Sequence, residues 1–131
     1  MPDFEQTIVV REEDLDDLNH VNNVRYVQWI QDIAKAHWQS LAPEALRRSV
    51  AWVVMHHDIT YKNPAKLNDE LRLLTYIEKN RGAISVRVVE IYDCKTEALL
   101  VHSSTKWCLL NVETYKPIRI PDAIMTLFKR N

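Results

Sequence analysis

The chain has 131 residues, 47% of them hydrophobic, enough for one domain (1–131) built round one apolar core. Its 17 Lys and Arg stand against 18 Asp and Glu, so there is no global field of the kind that gathers nucleic acid or an anionic membrane. No stretch approaches the roughly 20 apolar residues of a membrane span. The start MPDFEQTIVV lacks the basic-then-apolar pattern of a secretory leader, so a soluble, cytoplasmic protein is expected.

In chain order, QTIVVRE (6–12) is rich in β-branched residues and predicts a first strand ending near Glu13. The polar run DLDDLNHVNN (14–23) follows. From Val21 the apolar positions Val21, Val24, Val27, Ile30, Ile33, Ala34, Trp38 and Leu41 recur at steps of three and four, predicting an amphipathic helix over 22–40. At 1.5 Å per residue it is nearly 30 Å long, about the width of a small domain. Asn22 or a polar neighbour can cap its start. Pro43 ends it or opens a short PEALRRS turn (43–49).

The texture then becomes β-rich, with strands read at 50–63, 69–80, 83–93 and 98–112. The connections PAKLND, RG and CKTE are too brief for crossover helices, so the strands form an antiparallel meander. The segment ETYKPIRIPDAIMTLFKR adds an edge piece and a short helix after Pro121. Cys94 and Cys108 have no CxxC spacing and read as free thiols. Gly82 is the single glycine.

DLDDLNHVNNVRYVQWI before a long helix, then ITYKNPAKLNDELRLLT and a meander ending in TKWCLLNVETYKPIRIP, resembles the 4-hydroxybenzoyl-CoA thioesterase type of the hotdog-fold superfamily. The chain is also similar to the acyl-ACP thioesterases, which share the HVNN run. The resemblance covers about Thr7 to Pro121 and implies an α+β hotdog fold: a long central α-helix wrapped by a curved antiparallel β-sheet of five to six strands. It also implies a homodimer or homotetramer, with the site between protomers. An exposed sheet edge independently calls for pairing.

Thioester hydrolysis needs a group that activates water or attacks the carbonyl, and positive partial charge where the oxyanion develops. The N–H groups of the helix start, near Asn22, Asn23 and Val24, can supply the second. Asp16 matches the position of the family's catalytic aspartate, with Asp14 and Asp17 as alternatives. The resemblance implies a nucleophilic or a general-base role for it, and assigns carbonyl polarisation to a backbone N–H matching Asn23. His20 matches a histidine of the acyl-ACP enzymes. Their asparagine two residues after the aspartate is Leu18 here, with Asn19 next, so that asparagine's role does not transfer. The plain alternative is an acidic loop complementing the helix N-terminus.

Tyr26 and Trp29 are the expected walls of an acyl pocket, among aromatic residues, Trp38, Trp52 and Trp107 included, that otherwise read as core. His57 is a further candidate for that wall. His56 and His57 point to opposite faces of a strand and are too few for a metal site, so no metal is expected. Lys62, Lys66, Lys79 and Arg81, with Gly82, lie in turns suited to the phosphates of a CoA ester. No cofactor fingerprint is present. The expected activity is hydrolysis of an acyl-CoA or acyl-ACP; a hotdog dehydratase and a non-catalytic acyl-thioester binding protein are the competing readings.

Overall fold

The computed structural model describes residues 3–129. The elements are β1 (Phe4–Val9), a 3-10 turn (Glu12–Asp14), α1 (Asn23–Leu41), α2 (Glu44–Ser49), β2 (Val50–Tyr61), β3 (Glu70–Arg81), β4 (Ile84–Asp93), β5 (Leu99–Asn111) and α3 (Asp122–Leu127). The five strands form one antiparallel sheet in the order β1-β3-β4-β5-β2. Both β1 and β2 are edges, and the sheet does not close.

Helix α1 buries Tyr26, Ile30, Ile33, Ala34 and His37, positions that share one face at helical spacing. Of these, Tyr26, Ile30 and Ile33 meet Leu71 and Leu73 of β3, Val89 and Ile91 of β4 and Val101 of β5 in the principal core. Val24, expected on the apolar stripe, is 75% exposed at the helix start. A second cluster joins Val50, Leu109, Ile120 and Ile124, with Trp38, Trp52 and Phe128 packed against it. Helix α3 thereby folds back onto the far end of α1 through the stacked rings of Phe128 and Trp38.

Three local expectations are corrected. Strand β1 stops at Val9: the Val10 N–H still reaches the Asp69 carbonyl in register, but the Arg11 N–H goes to the Asp14 carboxylate and the chain enters the 3-10 turn. The PEALRRS segment forms α2, with Pro43 at the N-cap, where its missing N–H costs nothing. The 113–120 stretch adds no strand; its attachments are the Leu110–Pro117 bridge and the Ile118 and Ile120 N–H groups, bonded to the carbonyls of Leu109 and Gly82. Among the described residues no helix is long and apolar enough to cross a membrane.

The face of the sheet under α1 carries a polar row. Arg87 of β4 lies opposite Thr105 of β5, which lies opposite His57 of β2, and residues paired in this way share a face. Arg87 Nη1 donates to His37 Nδ1 at 2.9 Å and to Thr75 Oγ1 at 3.0 Å, while Thr75 Oγ1 donates to the Val88 carbonyl. His57 Nδ1 lies 2.8 Å from Thr105 Oγ1.

His37 is 2% exposed, with Phe4 stacked on it and Phe128 edge-on. Burial, and then the Arg87 charge, push its pKa down to about 4. It is therefore neutral when folded and accepts from Arg87, whereas in the unfolded chain it gains a proton near pH 6.5. Its contribution to stability is complete above about pH 6.5 and is lost as pH falls toward about 4. Urea midpoints of the native protein should drop across that window. A His37→Gln variant, which keeps an acceptor but cannot titrate, should drop less; equal drops would remove His37 from the account.

Candidate active site

The segment from Val10 to Asn22 is shaped by two aspartates with different tasks. Asp14 is 5% exposed, and its Oδ2 accepts the Arg11 N–H at 2.8 Å while Oδ1 accepts Arg25 Nε at 2.5 Å. Its carbonyl accepts the Asn22 N–H, so both its side chain and its backbone tie the loop to the start of α1. With both oxygens engaged, Asp14 is a structural clamp. The same bond is the main reason that the Arg25 guanidinium has a raised pKa.

Asp16 sits half-buried in a tight turn closed by its N–H to the His20 carbonyl at 2.7 Å. Asn19 adopts φ 60° there, a left-handed conformation that asparagine tolerates. Asp16 Oδ1 accepts from the N–H groups of Leu18 and His20, at 2.9 and 3.1 Å. Its Oδ2 accepts no hydrogen bond among the described residues. Asp17 and Leu18 project from the tip of the turn, exposed.

Asn22 caps α1, its side chain accepting the Val24 N–H at 3.0 Å. The Asn22 N–H goes to Asp14, and the Arg25 N–H returns to the Asn22 carbonyl. This leaves the Asn23 N–H as the uncommitted donor of the first turn among the described residues, backed by the helix dipole. One carboxylate oxygen and one helix-start N–H are thus both open on a rigidly tied segment. The imidazole of His20 is half-buried and makes no hydrogen bond among the described residues.

Tyr26 is buried and its hydroxyl accepts the Ala65 N–H at 3.2 Å, while the Val21 N–H reaches the Ala65 carbonyl. Burial raises the phenol's pKa. Trp29 meets the Tyr26 ring edge-on and packs on the principal core. Neither lines the cavity of about 390 Å³ on the other flank of α1, whose aromatic walls are Trp38, Trp52, Trp107 and Phe128, with Arg87 inside. The reason is helical phase: residues 28, 31, 35 and 38 share a flank that 26 and 29 do not.

His57 faces the helix side of the sheet, and its Nε2, like Trp107 Nε1, is buried without a partner among the described residues. Burial, then the neighbouring His56, lowers its pKa. No group of three or more His, Cys, Asp or Glu among the described residues is arranged to hold a metal.

The cationic candidates separate. Lys66 bridges to His20 beside the helix start, and Lys62 follows β2 nearby. Lys79, Arg81 and Gly82 lie at the other end of β3, roughly 30 Å away by strand rise. Gly82 has φ 62° and its carbonyl holds the Ile120 N–H, so the glycine serves the turn. Arg87 is the residue that the sequence reading missed. Its signal is a lone cation in SVRVVE, flanked by valines in a central strand of the meander.

Comparison with known proteins bears on the family and the fold. A chloroplastic acyl-[acyl-carrier-protein] hydrolase of Cuphea viscosissima is 28% identical over 82 residues, covering 63% of this chain and 20% of that protein. The chain thus matches about a fifth of the length of its curated relatives. A 1,4-dihydroxy-2-naphthoyl-CoA thioesterase from Synechocystis superposes with TM-score 0.83 at 19% identity, covering 95% of this chain and 94% of that one. The 12:0-ACP thioesterase from Umbellularia californica also gives 0.83, at 18% identity, covering 98% of this chain and 51% of that one. Such neighbours share the helix-in-sheet hotdog architecture. The description of the acyl-ACP thioesterase N-terminal domain matches residues 2–128, and the chain belongs to that family of thioester hydrolases.

Proposed function

We propose that this protein hydrolyses an acyl thioester to free acid and thiol, with Asp16 as general base or nucleophile and the Asn23 N–H polarising the carbonyl. The observation that carries the reading is the Asp16 carboxylate: one oxygen fixed by two backbone N–H groups, the other open, on the loop that delivers the uncommitted helix-start donor. A fixed carboxylate can act on water or carbon without reorganising, and a backbone donor stabilises the oxyanion without a titrating group. His20 assists by orienting water or substrate. Asn22 shapes the same surface through the cap.

The substrate is an acyl-CoA, as in the 4-hydroxybenzoyl-CoA type, or an acyl-ACP, as the family description suggests. Lys62 and Lys66, beside the helix start, are the nearer phosphate partners within one protomer. Lys79 and Arg81 would serve a neighbouring protomer's site. That assignment goes with a homodimer, or a homotetramer built from it, formed along the open edge of β2, where Val53 and Met55 are 37% and 63% exposed. We read the protein as one cytoplasmic hotdog domain with no nucleic-acid partner.

Free-thiol release from acyl-CoA and acyl-ACP panels tests the chemistry. Asp16→Asn keeps the Oδ1 acceptor, so the turn should persist, and turnover should fall by about 100-fold or more. Near-native turnover by a folded Asp16→Asn variant would sink the assignment. A native protein that binds these esters without releasing thiol would instead support the binding-protein reading. Sedimentation at micromolar concentration should show a dimer or tetramer that Met55→Lys weakens; an active native monomer would overturn the edge-pairing proposal.

A further inference from the structure

The cavity beside α1 has chemistry that the Asp16 segment does not use. It runs along the flank from Gln28 to Trp38, about 15 Å at the helical rise. Its volume of about 390 Å³ falls in the range of small-molecule sites. Trp38, Trp52, Trp107, Ile77 and Phe128 make most of its wall apolar.

Set into that wall is Arg87, 5% exposed. Its hydrogen-bond partners are the neutral groups His37 Nδ1 and Thr75 Oγ1, and both are served by Nη1. Phe128 lies against the guanidinium at 5.6 Å, and Asp3 acts on it through space. Burial pushes its pKa down to about 10, which leaves it charged at neutral pH. A guanidinium offers five N–H donors in a planar fork suited to a carboxylate, and two neutral acceptors on one nitrogen do not exhaust them.

Two further donors border the same space. Ser85 is buried on the strand position across from Trp107, and the Trp107 indole N–H is buried without a partner among the described residues. The other charged groups of the lining are Asp32 and Lys35, both exposed on α1 at the rim, where Asp32 accepts from Gln28 Nε2. The charge set in the cavity wall is therefore a cation, with the Ser85 and Trp107 donors and aromatic rings beside it in the lining and the Asp3 carboxylate acting on it from outside that lining. A buried charge of this kind is best satisfied by an opposite charge that brings its own apolar cover.

We propose that this cavity binds an apolar group ending in a carboxylate, with the Arg87 guanidinium as its anchor. Its identification as the distal end of an acyl substrate rests on the thioesterase reading. The same chemistry is offered by a free fatty acid, the product of that reaction.

Three tryptophans line the cavity, so their fluorescence reports occupancy without any turnover. Native protein titrated at about pH 8, where a fatty acid is fully ionised, should bind octanoate at least about tenfold more tightly than octanol. Arg87→Met should erase that preference and Arg87→Lys should retain part of it. Equal affinity for octanoate and octanol in the native protein would overturn the proposal, and this comparison needs no variant to fold. Octanoyl- to hexadecanoyl-CoA are then each compared with their ω-carboxylated counterparts. A lower KM for the carboxylated ester, lost in Arg87→Met, identifies the anchored group as the substrate's distal end. Octanoate inhibition with no such advantage identifies the free acid. Absence of any thiol release would defeat the hydrolase reading and leave the fluorescence result to decide this one.

Discussion

One buried carboxylate governs the geometry of the helix start. Asp14 receives Arg25 from α1 and the Arg11 N–H from the incoming loop, and its carbonyl receives the N–H of the helix cap. The polar chain segment can therefore lie against a buried helix without leaving its donors unsatisfied. Tyr26 and Val21 repeat the device on the other side, binding the N–H and carbonyl of Ala65. Between these ties the turn at Asp16 has little freedom, and that rigidity is what a carboxylate needs if it is to meet a carbonyl without reorganisation.

The sheet beneath α1 is less apolar than its position suggests. Thr75, Ser85, Arg87, Ser103 and Thr105 are all buried in β3, β4 and β5. Most are bonded within the protein: Thr75 to Val88, Ser103 to Val89, Arg87 to His37 and Thr75, Thr105 to His57. Satisfied in this way, a buried polar network specifies one arrangement of helix on sheet, whereas replacing one member would strand its partners.

Periodicity carried most of the fold. The three-and-four spacing after Val21 placed the helix within a residue of its observed bounds, and the β-rich runs placed β2 to β5 nearly as well, because both patterns follow from which side of an element is buried. The end of β1 was not legible: Val10 and Arg11 look like strand residues, and only the Asp14 clamp turns the chain away. The hotdog arrangement came from the motif resemblance together with the meander. The Asp16 segment was legible as a polar run before a helix, but the division of labour between Asp14 and Asp16 was not, since burial separates two acids that look alike in the sequence. The place of the cavity was not legible for a similar reason. Which flank of α1 faces open space depends on how the sheet curls, and the residues that line it there are Trp38, Trp52 and Trp107, which read as core, and not Tyr26 and Trp29. Arg87 was not singled out, because one cation between valines in SVRVVE does not reveal which face of the strand is buried.

The pairing of β2 with β5 slips between Val54 and His56, leaving Met55 as an extra residue. Upstream of it the even-numbered residues Trp52 and Val54 lie on the helix side; downstream the odd-numbered His57 and Ile59 do. Met55 is thus a phase change written into an edge strand. Had the chain run straight through, His56 and Asp58 would turn toward the core, and His57 would look outward. The parity of one residue therefore decides which of two adjacent histidines belongs to the interior. For any homologous chain the length of this short stretch, rather than the identity of its residues, would be the first thing to compare.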